Sequence, residues 1–189
     1  MANEDDVFAS EVEGVKPLEQ PRAEIKKVAE TTPGTVVRRH LAVANRAVAD
    51  PLASQNVPML HSSDLIEYRG HGVQLGVYRK LRLGQYEIEA RLDLHRMTVE
   101  HARKEVFSFI QECYKYELRT VLILHGKGER NADNIALLKS HLAVWLPQID
   151  NVLAAHSAQK HHGGTGAVYV LLKKGERSKQ FNREVHGLK

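Results

Sequence analysis

Between Ile88 and Leu124 the chain changes its hydrophobic period twice, and that leaves few architectures open. Ile88-Glu89-Ala90-Arg91-Leu92-Asp93-Leu94 alternates apolar and polar residues, the pattern of a half-buried strand. Thr98 is a good helix N-cap, and Val99, Ala102, Val106, Phe109, Ile110 and Cys113 then recur at helical spacing until Leu118. Val121-Leu122-Ile123-Leu124 is an unbroken apolar run, which suits a strand buried on both faces in a parallel arrangement. Strand, helix and buried strand make a βαβ unit with a right-handed crossover. Such a unit carries the turn after Asp93 and the turn after Leu124 to neighbouring positions on one sheet edge.

The remaining core follows from the same reading. Ile135, Leu138, Leu142, Trp145 and Leu146 predict a second helix, starting near Asn134 and stopped by Pro147. Residues 151–158 and 167–173 predict two further strands, joined by the loop His161-His162-Gly163-Gly164-Thr165-Gly166. The expected fold class is α/β, a two-layer sandwich with a βαβαββ core and a mixed sheet, plus an extended N-terminal arm. We divide the chain into a mostly disordered or extended arm and linker at 1–63, a basic lead-in at 64–87, the core domain at 88–174 and a basic tail at 175–189. The arm lacks sustained periodicity and carries Pro17 and Pro21; a weak helical pattern over 36–44 lies between Pro33 and Pro51. Within the lead-in, Val73–Leu83 reads as a helix ended by Gly84, placed against the entrance to the core domain.

A chain of 189 residues can bury one real core but is short for two independent domains. No apolar run approaches the roughly 20 residues needed to cross a bilayer, and the acidic start Met1-Ala2-Asn3-Glu4-Asp5-Asp6 does not read as an export signal. The lone Cys113, on the apolar face of a helix, reads as a core residue, and a cytoplasmic setting without membrane contact is expected. The net charge of +4 is unevenly spread. Residues 1–30 hold eight acidic and four basic side chains, whereas residues 157–189 hold two acidic and seven basic ones. Basic charge gathered at one end suits a polyanion, although a solvated tail has the same composition.

Three loops could carry chemistry. Asp93 and His95 are spaced i and i+2, so on a strand they share a face, where the carboxylate can orient an imidazole that exchanges protons; a capping carboxylate beside an edge histidine explains the spacing equally well. In His125-Gly126-Lys127-Gly128, the glycines allow a tight turn that offers amides to an anion and Lys127 adds a charge, as an ordinary strand-to-helix turn also could. No Ser or Thr follows the lysine, so the loop is not a nucleotide triphosphate P-loop. His161, His162, Gly163, Gly164 and Thr165 could admit and hydrogen-bond a nucleic-acid backbone or simply connect two strands. No compact His-and-carboxylate spacing marks a metal site, so no cofactor is assigned and divalent-metal dependence stays open.

Leu92-Asp93-Leu94-His95, followed by His125-Gly126-Lys127-Gly128 and then Gly163-Gly164-Thr165-Gly166-Ala167, resembles the Smr (small MutS-related) domain over roughly residues 88–174. The basic segment from Gly72 to Tyr86 is similar to the lead-in of stand-alone bacterial Smr proteins of the SmrA type. The resemblance implies a nicking endonuclease acting on nucleic acid, with DNA favoured, and it places the active site at Asp93, His95, His125 and Lys127. Gly126, Gly128, Arg96, Arg130, His161, His162, Gly163, Gly164, Thr165, Arg79, Lys80 and Arg82 are the expected nucleic-acid contacts. Many family members have Gly where this chain has Arg96, and another Gly where it has Glu129-Arg130-Asn131. The expected division of labour has His95, oriented by Asp93, activating the attacking hydroxyl and His125 protonating the leaving oxygen. Lys127 and the Gly126 and Gly128 amides would stabilise the phosphate. Two alternatives remain: an RNA endonuclease acting on ribosome-associated messenger RNA, with the acidic arm as the protein- or ribosome-docking segment, and a non-catalytic DNA- or RNA-binding module.

Overall fold

The computed structural model describes residues 32–37, 52, 56–128 and 136–175. The chain divides into two units, Met1–Glu30 and Thr31–Lys189, and every described residue belongs to the second. The elements run β1 (Glu67–Arg69), α1 (Leu75–Arg82), β2 (Ala90–Asp93), α2 (Val99–Lys115), β3 (Thr120–Leu124), α3 (Leu137–Gln148), β4 (Val152–Ser157) and β5 (Ala167–Leu172). From β2 onward this is the expected βαβαββ order. The sheet has the strand order β1-β4-β5-β3-β2. It is mixed: β2 and β3 are parallel, while β3–β5, β4–β5 and β1–β4 are antiparallel.

Alternation along the strands sorts the core into two faces. Val121, Ile123, Val168 and Val170 join Ala102, Val106, Phe109, Ile110, Cys113, Leu142, Trp145 and Leu146 in one apolar cluster under α2 and α3. Leu122, Tyr169, Leu171, Ala154 and Ala167 face the other way, onto Leu81 of α1 and the partly buried Val77, Tyr86 and Ile88. The central strands therefore read as continuous apolar runs because both faces are covered. The basic lead-in is not merely an approach to the domain: α1 backs the reverse face of the sheet. Gly84 allows this, since it holds φ +65 and a Cβ there would come within 2.8 Å of the Tyr169 hydroxyl.

Local signals explain the element ends. The Thr98 hydroxyl accepts the His101 amide at 3.3 Å and starts α2. Residues 33–37 are helical, and Val37 and Leu52 are buried in the α2–α3 cluster. The helix expected over 73–83 is shorter, Leu75–Arg82. Pro147 does not stop α3, which runs to Gln148 with Pro147 in its last turn. The expected start of that helix at Asn134 and Ile135 lies outside the described residues, as do most of the arm and residues 176–189. The loop before β5 is more ordered than a plain hairpin connection, forming two 3-10 turns, Lys160–His162 and Gly164–Gly166. Among the described residues no helix is long and apolar enough to cross a membrane.

Burial sets the cost of substitution. Ile123→Ala, at a fully buried position in β3, is expected to cost about 2–5 kcal/mol, whereas Leu75→Ala, at a residue 72% exposed on α1, should stay within about 0.5 kcal/mol. Urea titration of the two variants checks this.

Candidate active site

Parallel pairing of β2 with β3 sets Asp93 beside Leu124, and antiparallel pairing sets Leu124 beside Ala167. The turn after β2, the turn after β3 and the loop before β5 thus meet at one edge of the sheet. They are also bonded together: the Gly166 carbonyl accepts the His125 amide at 3.0 Å and the Gly126 amide at 2.9 Å.

On the β2 side, one Asp93 carboxylate oxygen accepts the His95 backbone amide at 2.9 Å and is also bonded to His95 Nδ1. The ring contact assigns the proton to Nδ1 and leaves Nε2, on the Gly126 side, as the acceptor nitrogen. Both side chains remain open to solvent, 63% for Asp93 and 55% for His95. Burial raises the Asp93 pKa, but the bonds from His95 outweigh it and hold the carboxyl below its ordinary value. The pair therefore presents an ionised carboxylate and an oriented imidazole at the surface. Arg96, next in the turn, holds φ +64. That is the left-handed conformation a glycine adopts freely, so the loop keeps its turn at a cost of about 1–2 kcal/mol while presenting an exposed guanidinium.

On the β3 side, Gly126 lies directly beneath the His95 ring. It holds φ +74, and a Cβ there would come within 3.0 Å of His95 Nε2. Lys127 is exposed and packs along Gly166, where an added Cβ would meet its Cγ at 3.3 Å. His125, by contrast, is 5% exposed. Its Nδ1 donates to the Gly126 carbonyl at 2.8 Å and its Nε2 is buried without a partner. Burial, with smaller contributions from Lys139 and His95 against the Gly126 bond, lowers its pKa to about 4. His125 is a buried ring, and burial disfavours its imidazolium. The Gly126 amide does not face an incoming anion, because Gly166 already takes it.

The third loop is held by Tyr169, whose hydroxyl is 2.6 Å from His162 Nδ1 and accepts the Gln159 amide at 3.2 Å. His161 lies against His162, their rings 4.1 Å apart. Gly163 links the two 3-10 turns, with Gly164 and Thr165 in the second. Gln159 Nε2 also donates to the Arg82 carbonyl at 2.6 Å, tying the end of α1 to this loop. Arg79 and Lys80 are exposed on α1, which packs over β4 and β5 rather than over β2. Arg130 lies outside the described residues, and Gly128 is the last residue described before that gap.

Sequence reasoning missed several participants. In the sequence Gly166 is one residue of the loop between two strands, whereas in the structure its carbonyl is the acceptor that joins the turn after β3 to β5. Lys139 is fully buried on α3 and donates to the His61 and Ser62 carbonyls at 3.1 and 2.9 Å, anchoring the end of the linker before β1. Nothing local marks either residue. Arg91 could have been found, because it stands two residues before Asp93 and alternation places both on one face. Among the described residues no group of three His, Cys, Asp or Glu side chains is placed to hold a metal ion.

A family model described as the Smr domain matches residues 92–173. "Ribosome rescue factor SmrB" of Vibrio parahaemolyticus is 31% identical over 169 residues, covering 88% of this chain and 90% of that protein. The chain belongs to the Smr domain family. "Probable DNA endonuclease SmrA" of Escherichia coli is 47% identical over 124 residues, 66% of this chain and 66% of that protein's length. Among solved structures, that of YdaL, a stand-alone small MutS-related protein from Escherichia coli, superposes with a TM-score of 0.59 at 44% identity. It covers 65% of this chain and 94% of the YdaL chain. The Smr match begins at Leu92, immediately before Asp93 and His95, and ends just past β5.

The geometry generates two predictions. Gly126→Ala should push the His95 ring off its position and strain the backbone, destabilising the fold by about 1–3 kcal/mol and shifting the His95 ring resonances in NMR spectra. Because the folded-state pKa of His125 is depressed to about 4, the folded state resists a proton that the unfolded chain takes up near pH 6.5. Stability should therefore be intact above pH 6.5 and fall by about 3 kcal/mol between there and pH 4. The lowered Asp93 pKa acts in the same direction. Urea midpoints measured against pH should fall less steeply for His125→Gln than for the wild type over that window.

Proposed function

We propose that this Smr protein is a nicking endonuclease that cleaves phosphodiester bonds, with DNA as its favoured substrate. The observation that carries this reading is the solvent-exposed Asp93–His95 pair standing over the Gly126–Lys127 turn. It combines an oriented imidazole, an ionised carboxylate and a flanking lysine at one sheet edge. The "Probable DNA endonuclease SmrA" relative supports the choice of reaction and of DNA.

In this mechanism His95 Nε2 takes the proton of the attacking hydroxyl, and Asp93 stabilises the imidazolium that forms. The attacking group is water, or a 2′-hydroxyl if the strand is RNA. Lys127 stabilises charge developing on the phosphate, and the Gly128 region of the turn closes around it. Buried beneath, His125 stays neutral and props the turn through its bond to the Gly126 carbonyl, so it positions the loop rather than donating to the leaving oxygen. Arg96 and the His161–Thr165 loop contact the strand on either side, and Arg79, Lys80 and Arg82 extend the basic surface. A cytoplasmic protein acting on nucleic acid is consistent with this chemistry.

A second reading, an RNA endonuclease acting at the ribosome through the acidic arm, is favoured by the likeness to the protein named ribosome rescue factor SmrB, which extends over 88% of the chain. His95→Ala and Asp93→Asn should each lower the nicking rate on supercoiled plasmid at least about a hundredfold. Structured RNA and EDTA arms decide polymer and metal dependence. Wild-type rates in both variants would overturn the assignment.

A further inference from the structure

Arg91 is not part of the Asp93–His95 pair, yet the sheet aims it at the same ground. In β2, Ala90 and Leu92 are buried toward α2 and α3, while Arg91 and Asp93 are exposed on the α1 side. Register then defines two rows on that face. Arg91 is level with Leu122 of β3 and Tyr169 of β5, and Asp93 is level with Leu124 and Ala167. Leu122, Tyr169 and Ala167 are buried under the α1 side, with Leu124 packed against them. The rows therefore run across an apolar floor toward the loop that carries His161 and His162.

That loop returns over the floor. A Cβ on Gly163 would meet Leu124 Cδ2 at 3.6 Å and the Ala167 side chain at 3.0 Å. His162 is fixed above Tyr169 by the 2.6 Å bond to its hydroxyl. With the Tyr169 hydroxyl accepting the Gln159 amide and giving its own proton to His162 Nδ1, the His162 proton is placed on Nε2, an assignment of tautomer rather than an observed proton. Burial, then the neighbouring His161 and then the Arg91 charge lower the His162 pKa. Arg91, exposed on β2, and His162, in the first 3-10 turn, thus both lie on the α1 side of the sheet at the level of Tyr169. Among the described residues Arg91 forms no ion pair.

We propose that Arg91 and His162 form a phosphate subsite one linkage removed from the phosphate handled by Asp93 and His95. Two residues of strand separate Arg91 from Asp93 by about 6.6 Å, a spacing comparable with that of neighbouring phosphates along an extended strand. Arg91 offers the planar fork suited to phosphate oxygens, and His162 supplies a donor from the opposite side. Tyr169 and Gln159 act only as positioning residues for His162. The subsite rests on the reading of Asp93–His95 as a phosphodiester site, but it predicts binding as well as turnover, and so the two can fail separately.

The test uses the full chain and a fluorescein-labelled single-stranded oligonucleotide, with affinity measured by anisotropy across a salt series. Arg91→Ala should weaken binding roughly tenfold and reduce the slope of log affinity against log salt by about 0.7–0.9, the loss of one phosphate contact. Arg91→Lys should retain the slope while losing part of the affinity. His162→Gln should weaken binding without changing the slope. A single neutral methylphosphonate beside the cleaved linkage should weaken wild-type binding on one side of that linkage only and leave Arg91→Ala indifferent. An unchanged slope and affinity in Arg91→Ala, with a native circular dichroism spectrum and melting curve, would overturn the subsite. If the wild type binds in an Arg91-dependent way but nicks nothing, the subsite stands and the endonuclease reading falls. If the wild type binds no oligonucleotide even at low salt, both fall.

Discussion

One carbonyl holds the site together. Gly166 accepts two successive amides, those of His125 and Gly126, and so binds the turn leaving β3 to the chain entering β5. Those two bonds bend the chain after Leu124 and bring Gly126 under the His95 ring. They also consume the amides that a tight glycine turn would otherwise offer to an anion. What the two turns present to solvent is instead side chains, among them His95 and Lys127.

The two histidines of this edge illustrate how burial divides labour between chemically identical groups. His95 sits at a strand end with its Nδ1 on a carboxylate and its ring more than half exposed. His125 stands one strand away, 5% exposed, its Nδ1 on a carbonyl and its pKa near 4. A neutral histidine held in an apolar setting serves shape and costs acid stability, whereas a carboxylate-backed histidine at the surface can carry protons. The reverse face adds a further layer. By packing on Leu122, Tyr169 and Leu171, α1 closes the sheet from behind and ties its own last turn to the loop of His162 through Gln159. The basic lead-in thereby becomes part of the domain and shares an edge with the site.

The order of elements was legible because each obeys a local period. Alternation over 88–94 and the apolar run over 121–124 mark strands by their fit to one- or two-sided burial, and the 3.6-residue pattern after Thr98 marks the helix between them. Asp93, His95 and the glycine-flanked Lys127 were legible for the same reason: spacing on a strand and freedom of φ are properties of a few adjacent residues. The helix limits at Leu75 and Gln148 were less so, because end positions respond to tertiary packing as well as to caps.

What the sequence by itself determined is therefore the βαβαββ order, the placing of two histidine turns on parallel neighbours and the family to which the chain belongs. The tertiary structure alone decided which histidine is buried, which amides Gly166 occupies, that Lys139 is enclosed near His125, and that Arg91 is level with the Tyr169 that holds His162. The physical reason is range. Propensity and period act over a handful of consecutive residues, whereas burial, electrostatic shifts and the pairing of Gly166 with His125 depend on segments about forty residues apart meeting at one sheet edge.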